Sequence, residues 1–290
     1  MADGILIIDK PTDWTSMDVC AKLRGVYHEK RIGHGGTLDP MATGVLPVFI
    51  GRATRAVEFA EKGDKEYIAG LQLGLVTDTQ DNTGRTLSES EVTVSRAELE
   101  AVLPQFTGPI QQIPPMYSAI KINGKKLYQL ARKGKEVERP ARSITIRELE
   151  LLDGPRADGT YLLRVRCSKG TYVRTLCHDI GQALGCGAVM CSLRRSMACG
   201  FTLEEAVTLE DVLKSDAPES LLKPVDSFFA DRPALTVSAA AEKKIRNGAA
   251  FSLPDTEAGE YRVYGPENNF LALCSSDGEV LTTIKSFFNV

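Results

Sequence analysis

The 290-residue chain holds three histidines, His28, His34 and His178, and no two of them stand four residues apart. Cys186, Cys191 and Cys199 are irregularly spaced, so no metal-ligand pattern emerges and no metal site is expected. There is no GxxxxGK[ST] segment, and after Gly33 and Gly35 the third position of a GxGxxG run is Leu38. Phosphate-loop and dinucleotide-loop chemistry are therefore disfavoured, and a GxSxG serine elbow is missing too. No apolar run approaches the roughly 20 residues that span a bilayer. The opening, MADGILIIDKP, lacks the basic n-region and long apolar core of a secretory signal, so a cytoplasmic location is the expectation. The seven cysteines are an odd number with no CxxC, which reads as buried free thiols in a reducing compartment.

What is present is ordinary in bulk: 43% hydrophobic, 25% charged and a net charge of −3. The length suits one large domain plus a small module. Charge is distributed unevenly. The stretch 121–142, KINGKKLYQLARKGKEVERPAR, carries eight Lys/Arg against two Glu, a local balance of +6. Such a patch fits either a local polyanion contact or a solvated surface.

Periodicity predicts a buried strand at GILIIDK and a helix at TSMDVCAKLRGVY, capped by Thr15 or Ser16 with Met17, Cys20, Leu23 and Val26 inward. Strands are predicted at GVLPVFIG, KEYIAGLQLGL, SITIRELELL, GTYLLRVRCSKG and AVMCSLRRSMACG, with TDTQDNTG a turn-rich loop. Ser95 and Glu98 form a capping box, and TYVRTLCHDIGQALG reads as a helix with Thr171 near its cap. Strands and helices mix without strict βαβ alternation, so the fold class is α+β: a mixed, mostly antiparallel sheet with packed helices. Composition shifts near FFADRPALTVS. The expected division is a first domain over 1–230 and a small β-rich module over 234–290.

One stretch concentrates constraint: RIGHGGTLDPMATGVLPV. Pro40 pushes Asp39 out of helical backbone, and the glycines before it permit a sharp turn or close ligand approach. By itself this leaves a tight turn and a presented catalytic carboxylate both open, and Asp-Pro turns are common. Arg174 sits in the first turn of a predicted helix beside Tyr172. It suits a surface contact or the partner of a buried carboxylate. Tyr67 in DKEYIAG and Tyr117 in IPPMYSAIK are compatible with plain structural roles.

Together, DKPTDWTS, GHGGTLDPMATGVLPV, DKEYIAGLQLG, IPPMYSAIKINGKKLYQLARKG, CSKGTYVRTL and LRR closely resemble, in order and spacing, the bacterial TruB family of tRNA pseudouridine synthases. The resemblance covers residue 4 to about 200. It continues more weakly through AAEKKIRNGAAF, which looks like the start of a PUA-type RNA-binding module. It implies the pseudouridine synthase fold and isomerisation of uridine 55 in the T-arm loop of tRNA, without redox cofactor or metal. By matching position it implies Asp39 as the catalytic aspartate, Arg174 as its ion-pair partner and Tyr67 as the aromatic stacked on the target base. It also implies His34 as a holder of the flipped RNA, with Tyr172 and Leu193 lining the pocket and Lys10 and Pro11 as support. The basic segment 121–142 would be a mobile thumb, with Lys125, Lys126, Arg132 and Lys133 on RNA phosphates.

The resemblance further implies a monomer that needs neither protein partner nor guide RNA and does not bind membranes. Two alternatives remain beside it. One is a guide-RNA-dependent relative of the dyskerin family, which shares the GH-x-GTLDP logic but normally lacks a thumb of this size. The other is an RNA-binding or tRNA-folding protein without turnover. Arg174 is expected to outweigh burial and hold Asp39 ionised. Where the family commonly has Thr after the histidine, this chain has Gly35, and a more flexible loop is expected there.

Overall fold

The computed structural model describes residues 2–122 and 124–288. The chain opens with β1 (Gly4–Lys10), α1 (Ser16–Tyr27), β2 (Ile32–His34) and β3 (Thr43–Ile50). β1 is apolar over its first five residues and pairs antiparallel with β3 along its whole length. Thr15 Oγ1 accepts from Asp18 N, and the Asp18 carboxylate accepts from Thr15 N, which closes a capping box at the start of α1. That start sets the helix phase so that Val19, Cys20, Leu23 and Tyr27 point inward. Met17, expected on the inner face, is instead 51% exposed.

The next elements are α2 (Val57–Ala60), β4 (Lys65–Leu73), the hairpin of β5 (Leu75–Thr77) and β6 (Thr86–Glu89), α3 (Arg96–Val102) and β7 (Gly108–Gln112). β8 (Lys121–Ile122), β9 (Lys125–Lys126) and α4 (Leu127–Ala131) occupy the basic segment. Then follow β10 (Arg142–Asp153), β11 (Thr160–Cys167), α5 (Val173–Ala183) and β12 (Ala188–Ala198).

β13 (Phe201–Thr202), β14 (Val207–Thr208) and α6 (Leu209–Lys214) complete this part. Its ten-stranded sheet runs β14-β1-β3-β12-β4-β11-β10-β7, with β2 added on β3 and β13 on β12. Only the β1/β14 and β3/β12 pairs are parallel, so the sheet is mixed and mostly antiparallel, as the sequence predicts. β12 lies between β3 and β4, and this order brings the loop before β3 next to Tyr67 on β4. Leu71, Leu163, Val165, Leu176 and Ile180 join the sheet to α5 in one core, and Leu6, Ile8, Leu23, Leu46 and Val48 join it to α1 in another.

The remaining elements are β15 (Ala234–Thr236), α7 (Ala239–Arg246), β16 (Phe251–Ser252), β17 (Gly259–Tyr264), β18 (Phe270–Ser276) and β19 (Val280–Ser286). These strands form a separate sheet, β15-β17-β18-β19-β16, over Ile245, Val263, Leu271 and Cys274. Phe229, Leu273 and Phe287 share a core with Ile5 and Phe49 of the large sheet. All seven cysteines are free; Cys191 and Cys199 are only partly buried. Among the described residues no helix is long and apolar enough to cross a membrane.

Candidate active site

The backbone around Asp39 is fixed from both sides. Ser16 Oγ accepts from Leu38 N at 2.9 Å, and Leu38 is buried. On the other side the Pro40 carbonyl accepts from Asp13 N at 2.9 Å and from Lys10 Nζ at 3.1 Å. The fully buried Lys10 also donates to the Pro11 and Trp14 carbonyls, and burial lowers its pKa to about 8. The supporting position implied for Lys10 thus has a concrete form: it clips the N-terminal loop to the residue after Asp39. Ala42 N donates to the Asp39 carbonyl at 3.0 Å and closes the turn.

Gly35 tightens the loop by a different route. Its N–H donates to Pro47 O at 2.9 Å, and a Cβ added at this position would lie 2.8 Å from Ala60 Cβ and 3.1 Å from Phe49 Cε2. The space a larger residue needs is filled by α2 and β3. The expectation of a looser loop therefore finds no support in the packing.

Asp39 meets Arg174, with Nη2 3.2 Å from Oδ2 and 3.3 Å from Oδ1. The same nitrogen donates to Tyr117 O at 2.8 Å, and Nη1 lies 3.6 Å from Asp81 Oδ2. Asp81 is buried in the β5–β6 loop, where its Oδ1 accepts from Thr79 Oγ1, Thr83 N and Thr83 Oγ1. That leaves Oδ2 for the guanidinium. Arg174 comes from the first turn of α5. Thr171 does not cap this helix; its hydroxyl bonds Ser168 O. Instead the buried Gln112 side chain accepts from Tyr172 N at 2.8 Å and donates to Tyr172 O at 3.1 Å.

Burial raises the Asp39 pKa above the ordinary carboxylate value. Arg174 and Lys10 pull it back, while the negative charge of Asp81 pushes it further up. This reverses the expectation that Arg174 would win. The guanidinium is divided among Asp39, Asp81 and the Tyr117 carbonyl, so its charge does not act for Asp39 alone.

Tyr67 is buried on β4, opposite Arg195 of β12, and Ala69 is opposite Leu193 in the same ladder. Burial raises the Tyr67 pKa, so the phenol is neutral at pH 7. His34, at the end of β2, accepts from Gly36 N at 3.4 Å through Nδ1. Burial and then Arg195 lower its pKa, which keeps it uncharged at pH 7. The Tyr172 ring lies 5.9 Å from the Arg174 guanidinium carbon. Asp39, Arg174, Tyr172 and Tyr67 are thereby gathered with Leu38 at one edge of the core that β4, β12 and α5 share.

The basic residues lie apart from this cluster. Lys125, Arg132 and Lys133 are exposed and Lys126 is half-buried. The Lys126 ammonium and the Arg132 guanidinium each lie over the Tyr128 ring, at 5.6 and 5.3 Å. Among the described residues none of the four is paired with a carboxylate. Their charge is free for an external anion.

Three residues escape the sequence reading: Asp81, Gln112 and Arg195. Asp81 has a faint signal, hydroxyl residues two positions before and after it in TDTQDNT. Arg195 has a faint one as well, a charge two residues on from Leu193 and so on the same inward face of the strand. Gln112 has none, because its partner is the backbone of Tyr172, just before α5 and far along the chain.

The family model for the N-terminal domain of TruB family pseudouridylate synthases matches residues 24–173, and the model for the tRNA pseudouridylate synthase B C-terminal domain matches residues 174–230. A tRNA pseudouridine synthase B of Pseudomonas putida is 44% identical over 288 residues, covering 96% of this chain and 93% of the relative. Its counterpart in Syntrophomonas wolfei is 46% identical over 279 residues, covering 94% and 93%. Among solved structures, a Cbf5–Nop10–Gar1 complex contains a chain that superposes with a TM-score of 0.75 at 26% identity, covering 98% of this chain and 85% of the other.

Proposed function

The chain belongs to the TruB family of pseudouridylate synthases, and on that premise we propose that it converts uridine 55 in the T-arm loop of tRNA to pseudouridine, unaided by guide RNA or partner protein. The observation that carries this reading is the Asp39–Arg174 pair, a carboxylate 34% exposed held by an arginine 7% exposed.

A loop uridine must leave its stack before its sugar carbon can be reached. The Tyr67 ring accepts the face of the flipped base, an interaction worth roughly 1–3 kcal/mol. Leu193 and Tyr172 line the pocket, and uncharged His34 supports the displaced strand. Ionised Asp39 then acts as nucleophile or base while the C1′–N1 bond breaks, the uracil turns and the C1′–C5 bond forms; the C5 proton is lost to a base and N1 takes up a proton, so the net change is an isomerisation. Arg174 keeps that carboxylate oriented, and Asp81 orients Arg174. Lys125, Lys126, Arg132 and Lys133 contact phosphates as the 121–142 segment closes on the stem-loop. Residues 234–290 serve as a PUA-like RNA-binding module, and the chain works as a cytoplasmic monomer.

The test is to incubate the purified chain with unmodified tRNA and map pseudouridine by chemical sequencing, with and without added guide RNA. Modification of one T-loop uridine by the chain alone is the expected result. Modification only with guide RNA, or binding without modification, would contradict the proposal.

A further inference from the structure

The chain has a single tryptophan, Trp14. It lines a cavity of about 430 Å³ that the reaction at Asp39 does not use. A cavity of this size falls in the range that holds a small organic ligand. The end of β1 and the loop after it form one side, and β3, β12 and α6 form the other. Pro11 and Trp14 make an apolar wall with Leu209 and the exposed Leu213 of α6.

One polar pair interrupts that wall. Arg194 of β12 grips Asp9 of β1 as a fork, with Nη1 donating to Oδ1 at 3.1 Å and Nη2 to Oδ2 at 2.7 Å. Nη1 also donates to Thr43 Oγ1 at 3.3 Å. The arginine side chain is 43% exposed and the aspartate 26%, so the pair presents a donor beside an acceptor to the cavity. Lys10 lines the cavity too, but its three ammonium hydrogens already go to the Pro11, Trp14 and Pro40 carbonyls. Glu210 is paired with Lys214. No surplus positive charge remains, so the cavity does not suit a phosphate.

What suits it is a flat, uncharged ring with one hydrogen-bonding edge. A carboxylate only accepts, so the ring must bring donors to Asp9 and an acceptor to Arg194. Guanine carries two N–H groups beside a carbonyl on one edge. Uracil offers one N–H between two carbonyls. Cytosine and adenine offer one amino group beside a ring nitrogen that only accepts. Trp14 supplies the face on which an exposed base stacks.

We propose that the cavity between β1, β12 and α6 is a second base-binding site, which takes a guanine with its ring on Trp14 and its N–H edge on Asp9 and Arg194. An unpaired guanine of a bound RNA and a free guanine nucleoside present the same edge. The site adjoins the reacting turn through Lys10, whose ammonium holds the Pro40 carbonyl next to Asp39. The proposal does not depend on turnover at Asp39.

The lone tryptophan is the reporter. The wild-type chain is titrated with guanosine, adenosine, cytidine and uridine while Trp14 fluorescence and the ¹⁵N-labelled indole N–H resonance are followed. Guanosine should quench the emission, shift the resonance and bind about tenfold or more tighter than the other three. Asp9→Asn removes one accepting oxygen and should weaken guanosine about tenfold. No response to any nucleoside, equal response to all four, or undiminished guanosine binding by Asp9→Asn would overturn the proposal.

If Asp9→Asn does not fold, inosine decides with the wild type alone. It lacks the exocyclic amine and should bind several-fold more weakly than guanosine; equal binding would overturn the proposal. Unmodified tRNA added to the guanosine complex then names the source. Displacement of guanosine assigns the site to a guanine of the RNA, and retention assigns it to the free nucleoside; both uphold the base site. A chain that binds guanosine but forms no pseudouridine removes the functional reading alone.

Discussion

Arg174 and Asp39 meet at 3.2 Å, yet the arginine side chain is 7% exposed and the aspartate 34%. The arginine is the fixed member. Tyr117 O and Asp81 hold it from behind, and Asp81 is itself held by Thr79 and Thr83. The carboxylate therefore faces an incoming ligand while its counter-charge stays in place. Such an arrangement lets charge on Asp39 change during reaction without reorganising the protein around it.

Asp81→Asn removes the anion that shares Arg174. The isomerisation rate should fall about 100-fold, because the guanidinium loses one anchor and Asp39 loses its orientation. The same change should lower the Asp39 pKa, since Asp81 raises it. The acidic limb of the single-turnover pH–rate profile should therefore move to lower pH. A limb that stays in place would show that Asp81 does not act on Asp39.

The raised Asp39 pKa has a consequence for stability. A carboxyl group whose pKa is raised by folding favours the folded state fully below the ordinary value of about 3.9 and loses that contribution as pH rises through the raised value. Above it, ionised Asp39 is a burden on the fold. Asp39→Asn should therefore melt higher than the wild type at pH 8, with the difference shrinking as pH is lowered. A variant that melts lower at pH 8 would mean that pairing with Arg174 outweighs burial.

Gly35→Thr should destabilise the chain. Ala60 Cβ and Phe49 already occupy the space the new side chain needs, and overpacking of this kind costs roughly 1–3 kcal/mol. Chemical denaturation should show the loss, and Ala60→Gly should recover part of it in the double variant. An undiminished Gly35→Thr would show that α2 yields easily.

Replacing Lys125, Lys126, Arg132 and Lys133 with Ala together should weaken tRNA binding and flatten its salt dependence. Each lost phosphate contact lowers the slope of log K against log salt by about 0.9 on duplex RNA, taken as for DNA. Binding titrations at several salt concentrations measure this. An unchanged slope would leave the segment as solvated surface.

Six strands of the large sheet, β1, β3, β4, β10, β11 and β12, were legible because each is a buried or alternating run bounded by turn residues; the short β2, β7, β13 and β14 were not, and the capping box at Ser95 and Glu98 forms as read. The phase of α1 was less legible: Met17 fits the apolar spacing but lies outside the face that the Thr15 cap selects. Asp39 and Arg174 could be singled out from their local constraint and their resemblance to a family. Asp81 could not, because TDTQDNTG has the composition of a solvent loop until the fold lays it against α5. The role of Gly35 was misread for a related reason, since its neighbour Ala60 is set by tertiary packing. The sign of the Asp39 shift is set first by burial and then by the sharing of one guanidinium, both of which only the fold determines.

The central claim is that Asp39 carries the chemistry rather than the binding. The most direct measurement is the single-turnover formation of pseudouridine in unmodified tRNA by wild type and Asp39→Asn, with affinity determined on the same preparations. The account requires that Asp39→Asn bind tRNA within a few-fold of wild type and form no pseudouridine. Normal turnover by Asp39→Asn would contradict it.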